Sequence, residues 1–209
     1  MANLQDLYDA ILAGNLQLAV STSEEALKDG ESAKELVDKY MIPAMDEVGR
    51  RFECNEFFVP ELLIAARAMK GALELLKPSL QAAGAESAGK VAIGTVKGDL
   101  HDIGKNLVAS MLEGAGYDII DLGVDVAPER FVEAVQNEGV EVLCLSALLT
   151  TTMPAMKATI EALTAAGVRD KVKVIIGGAP VTQNYADEIG ADGYGDNANS
   201  AVTATREIA

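Results

Sequence analysis

The chain has 209 residues, 49% of them hydrophobic and 23% charged, which supports a packed core and excludes a disordered chain. Seventeen Lys and Arg stand against 32 Asp and Glu, a formal net charge of −15, and aromatics are 4% with no Trp; such a surface repels phosphate backbones and offers few stacking platforms, so no nucleic-acid partner is expected. No run approaches the roughly 18 apolar residues of a membrane span, Met1–Asp6 has no secretory pattern, and two cysteines build no disulfide framework, so no membrane partner and a reducing cytoplasm are expected.

Residues 1–82 carry helical spacing. Leu4, Leu7, Tyr8, Ile11 and Leu12 form a first stripe. Leu16, Leu18, Ala19, Ala26 and Leu27 form a second, ending at Gly30. A third starts after Ser32, a candidate N-cap, and runs through Leu36, Val37, Tyr40, Met41, Met45 and Val48, with Pro43 expected to kink or split it. A fourth begins near Pro60 and carries Leu62, Leu63, Ala66, Met69, Leu73 and Leu76. Four amphipathic helices with short links predict a small bundle over residues 1–85. The small, unpatterned residues 83–89 read as a linker.

From Lys90 the texture changes. Strands are predicted at Val91–Val96, Asp118–Leu122, Val140–Leu145, Val172–Ile176 and Asp192–Tyr194. Helices are predicted between and after them at Lys105–Ala115, Pro128–Asn137, Met153–Ala166, Thr182–Glu188 and Ala198–Glu207. Five βα repeats imply a doubly wound, Rossmann-like parallel sheet of five strands over residues 86–209, and an α/β chain overall. Ligands of such sheets sit at the carboxyl ends of the strands, so the loops after Val96, Leu145 and Ile176 are the candidate site.

The first of these loops holds His101, the only histidine of the chain. It is no phosphate loop: Asp99 stands where that motif needs Gly, and Asn106 where it needs Ser or Thr. One histidine and scattered acids make a poor zinc site. A macrocycle that brings four equatorial nitrogens needs only one axial ligand, and an imidazole bonded to a carboxylate is oriented and made more basic. Asp99, two residues before His101, is placed for that bond.

The run Asp99-Leu100-His101-Asp102-Ile103-Gly104 resembles the DxHxxG motif of cobalamin-binding domains of the methionine synthase type. Ser146-Ala147-Leu148 resembles that family's SxL, and Gly177-Gly178 its closing GG. Gly49-Arg50-Arg51-Phe52 and Asn55–Leu62 resemble the helical cap of the same family, so the resemblance spans nearly the whole chain. In size and two-part layout the chain is similar to the small corrinoid methyl-carrier proteins of methylamine and methanol methyltransferase systems.

The resemblance implies a bound cobalamin in base-off form, with His101 as axial cobalt ligand in place of the cofactor's own dimethylbenzimidazole. Asp99 would hold His101, and Thr152, where the family carries a hydroxyl residue, would hold Asp99; its extra methyl stiffens the rotamer. Asp102, Ile103 and Leu148 carry over as cofactor contacts. Ser146 and Thr150 would bond the displaced nucleotide tail, and Gly104, Gly177 and Gly178 would line its slot, where a Cβ would fill the space. Phe52 and Val59 would shield the methyl group, whereas Phe57 and Leu62 read as bundle core.

The function implied is carriage of a methyl group on cobalt between a substrate-specific methyltransferase and a second one with a thiol or folate acceptor. A reductive activase is a further implied partner. The chain would be no enzyme on its own. A cobalamin-binding sensor is the alternative, though light-sensing relatives resemble a pattern with Trp and His in the cap, and this chain has neither there. Cys144 reads as core and Cys54 as incidental. Glu24, Glu25, Asp29 and Glu31 read as a solvated face.

Overall fold

The computed structural model describes residues 3–84 and 87–209. They fall into two compact units, one taking the chain up to Ser87 together with Glu113–Gly116, the other Ala88–Leu112 and Tyr117–Ala209. Ala85 and Glu86, within the expected linker, lie outside the described residues.

The first unit is helical: α1 (Leu4–Leu12), α2 (Leu16–Lys28), α3 (Ala33–Leu36), α4 (Ile42–Glu53) and α5 (Val59–Ala82). The periodic residues meet inside. Leu7, Ile11, Ala19, Leu36, Val48, Leu62, Met69 and Leu76 are all fully buried. Each large one contributes about 1.5–3 kcal/mol by leaving water, which is what holds helices too short to stand alone. The third expected helix is split by a π turn at Val37–Met41, whose last bond runs from the Ile42 N–H to the Val37 carbonyl. Pro43 explains the wider register, since it has no N–H to give and is tolerated in the first turn of α4, where none is needed. Ser32 holds the N-cap position, but its hydroxyl makes no capping bond. Leu62 is core as expected. Phe57 departs from that reading, being only half-buried, with the Arg51 guanidinium 5.2 Å from its ring centroid.

The second unit is a parallel sheet of β1 (Lys90–Val96), β2 (Asp118–Val126), β3 (Val142–Ser146), β4 (Lys173–Gly177) and β5 (Gly193–Gly195), in the order β2-β1-β3-β4-β5. Between and after the strands run α6 (Ile103–Gly114), α7 (Pro128–Asn137), α8 (Pro154–Ala165), α9 (Gln183–Ile189) and α10 (Ala198–Ile208). β1, β3 and β4 are buried almost throughout, which is why they read as unbroken apolar runs. Phe131, Leu143, Leu145, Met156, Leu163 and Ile176 form the core between sheet and helices.

The largest departure from the expected strand lengths is in β2. β2 runs past Leu122 to Val126, and its pairing with β1 slips twice: Ile93 faces Asp121, Gly94 faces Gly123, and Val96 faces Val126. Each slip inserts one extra residue into β2, and the inserted stretch holds Gly123 at φ 87° and Asp125 at φ 52°. Such bulges sharpen the twist and re-aim the strand end. The Gly-Val-Asp run hid this extension, because it breaks the strand pattern.

The strand order puts β1 and β3 side by side at the centre, with the chain leaving them in opposite directions. The loops after their carboxyl ends therefore flank the switch point where ligands of open α/β sheets bind. Among the described residues, no helix is long and apolar enough to cross a membrane.

Candidate functional site

The site is built around a carboxylate with no exposure to solvent. Asp99 follows the turn after β1, where Gly98 takes φ 84°. Its Oδ1 accepts from the His101 backbone N–H at 3.1 Å and faces His101 Nδ1 at 2.7 Å. Its Oδ2 accepts from Thr152 Oγ1 at 2.7 Å and from the Leu148 and Leu149 N–H groups at 2.8 and 3.3 Å. Burial is the largest single influence on this carboxyl and pushes its pKa up. The hydrogen bonds from Thr152, His101 and Leu148 together outweigh it and hold the group well below the usual carboxylate range.

An ionised Asp99 only accepts, so the His101 nitrogen facing it carries the hydrogen; in the neutral imidazole that leaves the lone pair on Nε2. The imidazole is half exposed, and Nε2 makes no hydrogen bond among the described residues. Leu100 and Ile103, which flank His101 in the chain, are 71% and 82% exposed. Leu148 and Leu149, whose N–H groups reach Asp99, are exposed apolar residues as well. Among the described residues, no group of three or more His, Cys, Asp or Glu could hold a metal ion. A metal here would have to bring most of its own ligands.

The three glycines separate into two kinds. A Cβ on Gly104, at the start of α6, meets nothing within 4 Å. A Cβ on Gly177 would sit 2.8 Å from the Gly195 carbonyl oxygen, and one on Gly178, at φ 129°, would run into the Ala147 carbonyl oxygen. Backbone packing alone therefore demands the pair, whereas only something outside the chain would demand Gly104. Ser146 closes β3 half-buried and Thr150 is exposed; neither hydroxyl is hydrogen-bonded among the described residues. Asp102 is exposed and accepts from Asn106 at 3.2 Å. In the helical unit Phe52 is half-buried and Val59 exposed.

Two family models, each described as a B12 binding domain, match residues 4–77 and 89–203. The chain belongs to the corrinoid proteins built from B12-binding domains. Trimethylamine corrinoid protein 1 of Methanosarcina acetivorans is 45% identical over 202 residues, 96% of this chain and 94% of that protein. A cobalamin-binding protein from Desulfitobacterium hafniense, solved as a crystal structure, is 33% identical with a TM-score of 0.85, and the match covers 100% of both chains. The methanol:cobalamin methyltransferase complex of Methanosarcina barkeri contains a chain that is 31% identical with a TM-score of 0.82, covering 98% of this chain and 83% of that one.

The donor set of this B12-binding chain fits such a cofactor. In its neutral form one fixed tautomer presents one nitrogen lone pair, Leu100, Ile103, Leu148 and Leu149 of the same two loops offer exposed apolar side chains, and Gly104 leaves open space beside α6.

Three further residues serve the site and were not singled out by their sequence. The buried Thr95 donates its hydroxyl to the His101 carbonyl at 2.9 Å. Lys105, 3% exposed, places Nζ 2.6 Å from both oxygens of Asp121 and so ties the first turn of α6 to β2. Burial, the larger single influence, raises the pKa of Asp121, but the Lys105 bond and the Gly123 N–H bring it below its ordinary value. Asp125 bonds the backbone on both sides of Asp99's peptide link to Gly98.

Proposed function

We propose that the chain carries a methyl group on a base-off cobalamin, with His101 Nε2 as the axial ligand. Bound cobalamin would supply the cobalt centre that takes up and gives up the methyl group. The residues do the positioning. Asp99 keeps the imidazole in one tautomer, Thr152 and the Leu148 and Leu149 N–H groups keep Asp99 ionised and aimed, and Thr95 fixes the His101 carbonyl. Gly104, Gly177 and Gly178 border the slot of the displaced nucleotide tail, Ser146 and Thr150 bond that tail, and Asp102, Ile103 and Leu148 contact the cofactor. Phe52 and Val59 of the helical unit shield the methyl group.

The partners proposed are a substrate-specific methyltransferase, a second methyltransferase with a thiol or folate acceptor, and a reductive activase, all in the cytoplasm. The chain alone would turn over no substrate. Methylamines are the first donors to test, because a trimethylamine corrinoid protein is 45% identical to this chain. Methanol comes next, since a methanol:cobalamin methyltransferase complex contains a chain of similar fold.

The observation that carries this reading is the ordered line Thr152–Asp99–His101, ending in a half-exposed imidazole whose Nε2 has no partner among the described residues. The test uses 15N-labelled protein reconstituted with unlabelled cobalamin and reduced to the paramagnetic cobalt(II) state. An axial protein imidazole splits each cobalt line in its electron paramagnetic resonance spectrum into two with 15N and three with 14N. His101→Ala should lose this splitting. A three-line pattern from labelled protein would mean that the cofactor's own base is still bound, and the reading would fail.

A further inference from the structure

We propose that Asp125 is a positioning residue for the Asp99–His101 pair, gripping the backbone of the loop that presents it. Asp125 Oδ1 accepts from the Gly98 N–H at 2.8 Å. The Asp125 N–H donates to the Asp99 carbonyl at 2.9 Å. Lys97 Nζ lies 3.1 Å from Oδ1 and 3.2 Å from Oδ2. One residue of β2 thus holds the two peptide groups on either side of the Gly98–Asp99 link.

The grip needs the bulge. A strand in unbroken register would place residue 125 without the slip that the pairing of Val96 with Val126 records. In the left-handed region, at φ 52°, the N–H and the short carboxylate of one residue can both address the neighbouring loop. Asp and Asn tolerate that region better than most residues. Gly98 is the matching half, because its φ of 84° suits glycine. The carboxylate that aims His101 sits on the very residue whose carbonyl is held, so a shift at 98–99 would move both Asp99 oxygens. Hydrogen bonds favour ionised Asp125, that from the Gly98 N–H first and that from Lys97 second.

Only the cofactor readout below rests on the proposed axial role of His101; the readout on cofactor-free protein does not. Three variants separate the contributions. Asp125→Asn keeps an acceptor and tolerates the same φ. Asp125→Gly keeps the φ and removes the acceptor. Asp125→Ala loses both. In cofactor-free protein, 15N spectra of the His101 ring report its tautomer, and exchange of the ring Nδ1 hydrogen reports its bond to Asp99.

Wild type and Asp125→Asn should show one dominant tautomer and slow exchange. Asp125→Gly and Asp125→Ala should show a tautomer mixture and exchange faster by about tenfold, on the scale of one lost hydrogen bond. Far-ultraviolet circular dichroism and the thermal midpoint establish that each variant is folded. Should the Gly variant not fold, Asp125→Ser, whose hydroxyl falls short of the Gly98 N–H, is read in the same way. With cobalamin bound, the Gly variant should lose part of the protein nitrogen splitting that wild type shows. A folded Gly or Ser variant with the wild-type tautomer and exchange rate would overturn the proposal. Absence of protein nitrogen splitting in wild type would instead strike the axial role of His101, leaving the cofactor-free result to decide the role of Asp125.

Discussion

Thr152 and Asp99, 53 residues apart in the chain, meet at 2.7 Å with both side chains buried. The hydroxyl has one hydrogen and two acceptors in reach, the other being the Leu149 carbonyl at 2.9 Å. A buried carboxylate is the stronger acceptor, so the hydrogen belongs mainly to Asp99. The contact links the loop after β1 to the loop after β3 across the switch point of the sheet.

Replacing that hydroxyl by a methyl isolates the contact. Thr152→Val keeps shape and branching but withdraws one donor from a buried charge, which costs about 1–3 kcal/mol. Thr152→Ser should retain most of the stability, at the expense of a looser rotamer. Urea denaturation of the two variants checks this. Equal midpoints for Val and wild type would show that Thr152 is mere packing.

A second expectation concerns acid. In the helical unit Glu47 accepts from Arg50 Nε at 2.7 Å and from Arg51 Nε at 2.8 Å, and these bonds, Arg50 first, hold its pKa down to about 2. A folded-state pKa below the unfolded one stabilises the fold above the unfolded value and ceases to do so as pH falls through the folded value. The stabilisation from Glu47 should be complete above about pH 5 and fade on acidification toward pH 2. Glu47→Gln should accordingly have a lower urea midpoint than wild type at pH 7, with the gap closing toward pH 2. A gap independent of pH would assign the effect to shape rather than charge.

The two thiols differ in the same legible way. Burial pushes Cys144, inside β3, up to about 12, whereas Cys54 is exposed after α4. The thiolate is the reactive form. A chromogenic disulfide reagent at pH 8 should therefore titrate one thiol in the native chain and a second only after denaturation. Cys54→Ser should abolish the native reaction. Two fast thiols would mean that β3 opens far more readily than its burial implies.

How much of this could be read from residue order depended on how local the cause was. β3 was legible because Val142–Leu145 are buried and apolar in sequence, and α7 because Pro128 marks its first turn. The split of the third helix was legible in Pro43, but not the π turn that absorbs it, since a kink or a break would also accommodate a missing N–H. The far end of β2 was not legible, because Gly123 and Asp125 look like turn residues until β1 pairs with them. His101 and Asp99 were legible from their place in the loop after β1, and Thr152 through a motif resemblance. Thr95 and Asp125, which hold the same loop through backbone groups, left no comparable pattern, since a bond to a carbonyl or N–H constrains the side chain but not its partner's identity.

The glycines offer the sharpest division between fold and binding. Gly104 lies in α6, where a Cβ touches nothing, so Gly104→Ala should leave the fold intact and stabilise it by up to about 1 kcal/mol, as removing a helical glycine does. Gly178→Ala drives a Cβ into the Ala147 carbonyl at a φ suited to glycine, and should destabilise the sheet unit toward the upper end of the roughly 1–3 kcal/mol that overpacking costs. If the open space beside Gly104 receives the cofactor's tail, the Ala variant should melt no lower than wild type and yet bind cobalamin at least tenfold more weakly, a loss of about 1.4 kcal/mol. Thermal denaturation and equilibrium dialysis with hydroxocobalamin measure the two quantities independently. Wild-type affinity in a fully folded Gly104→Ala would place the tail elsewhere.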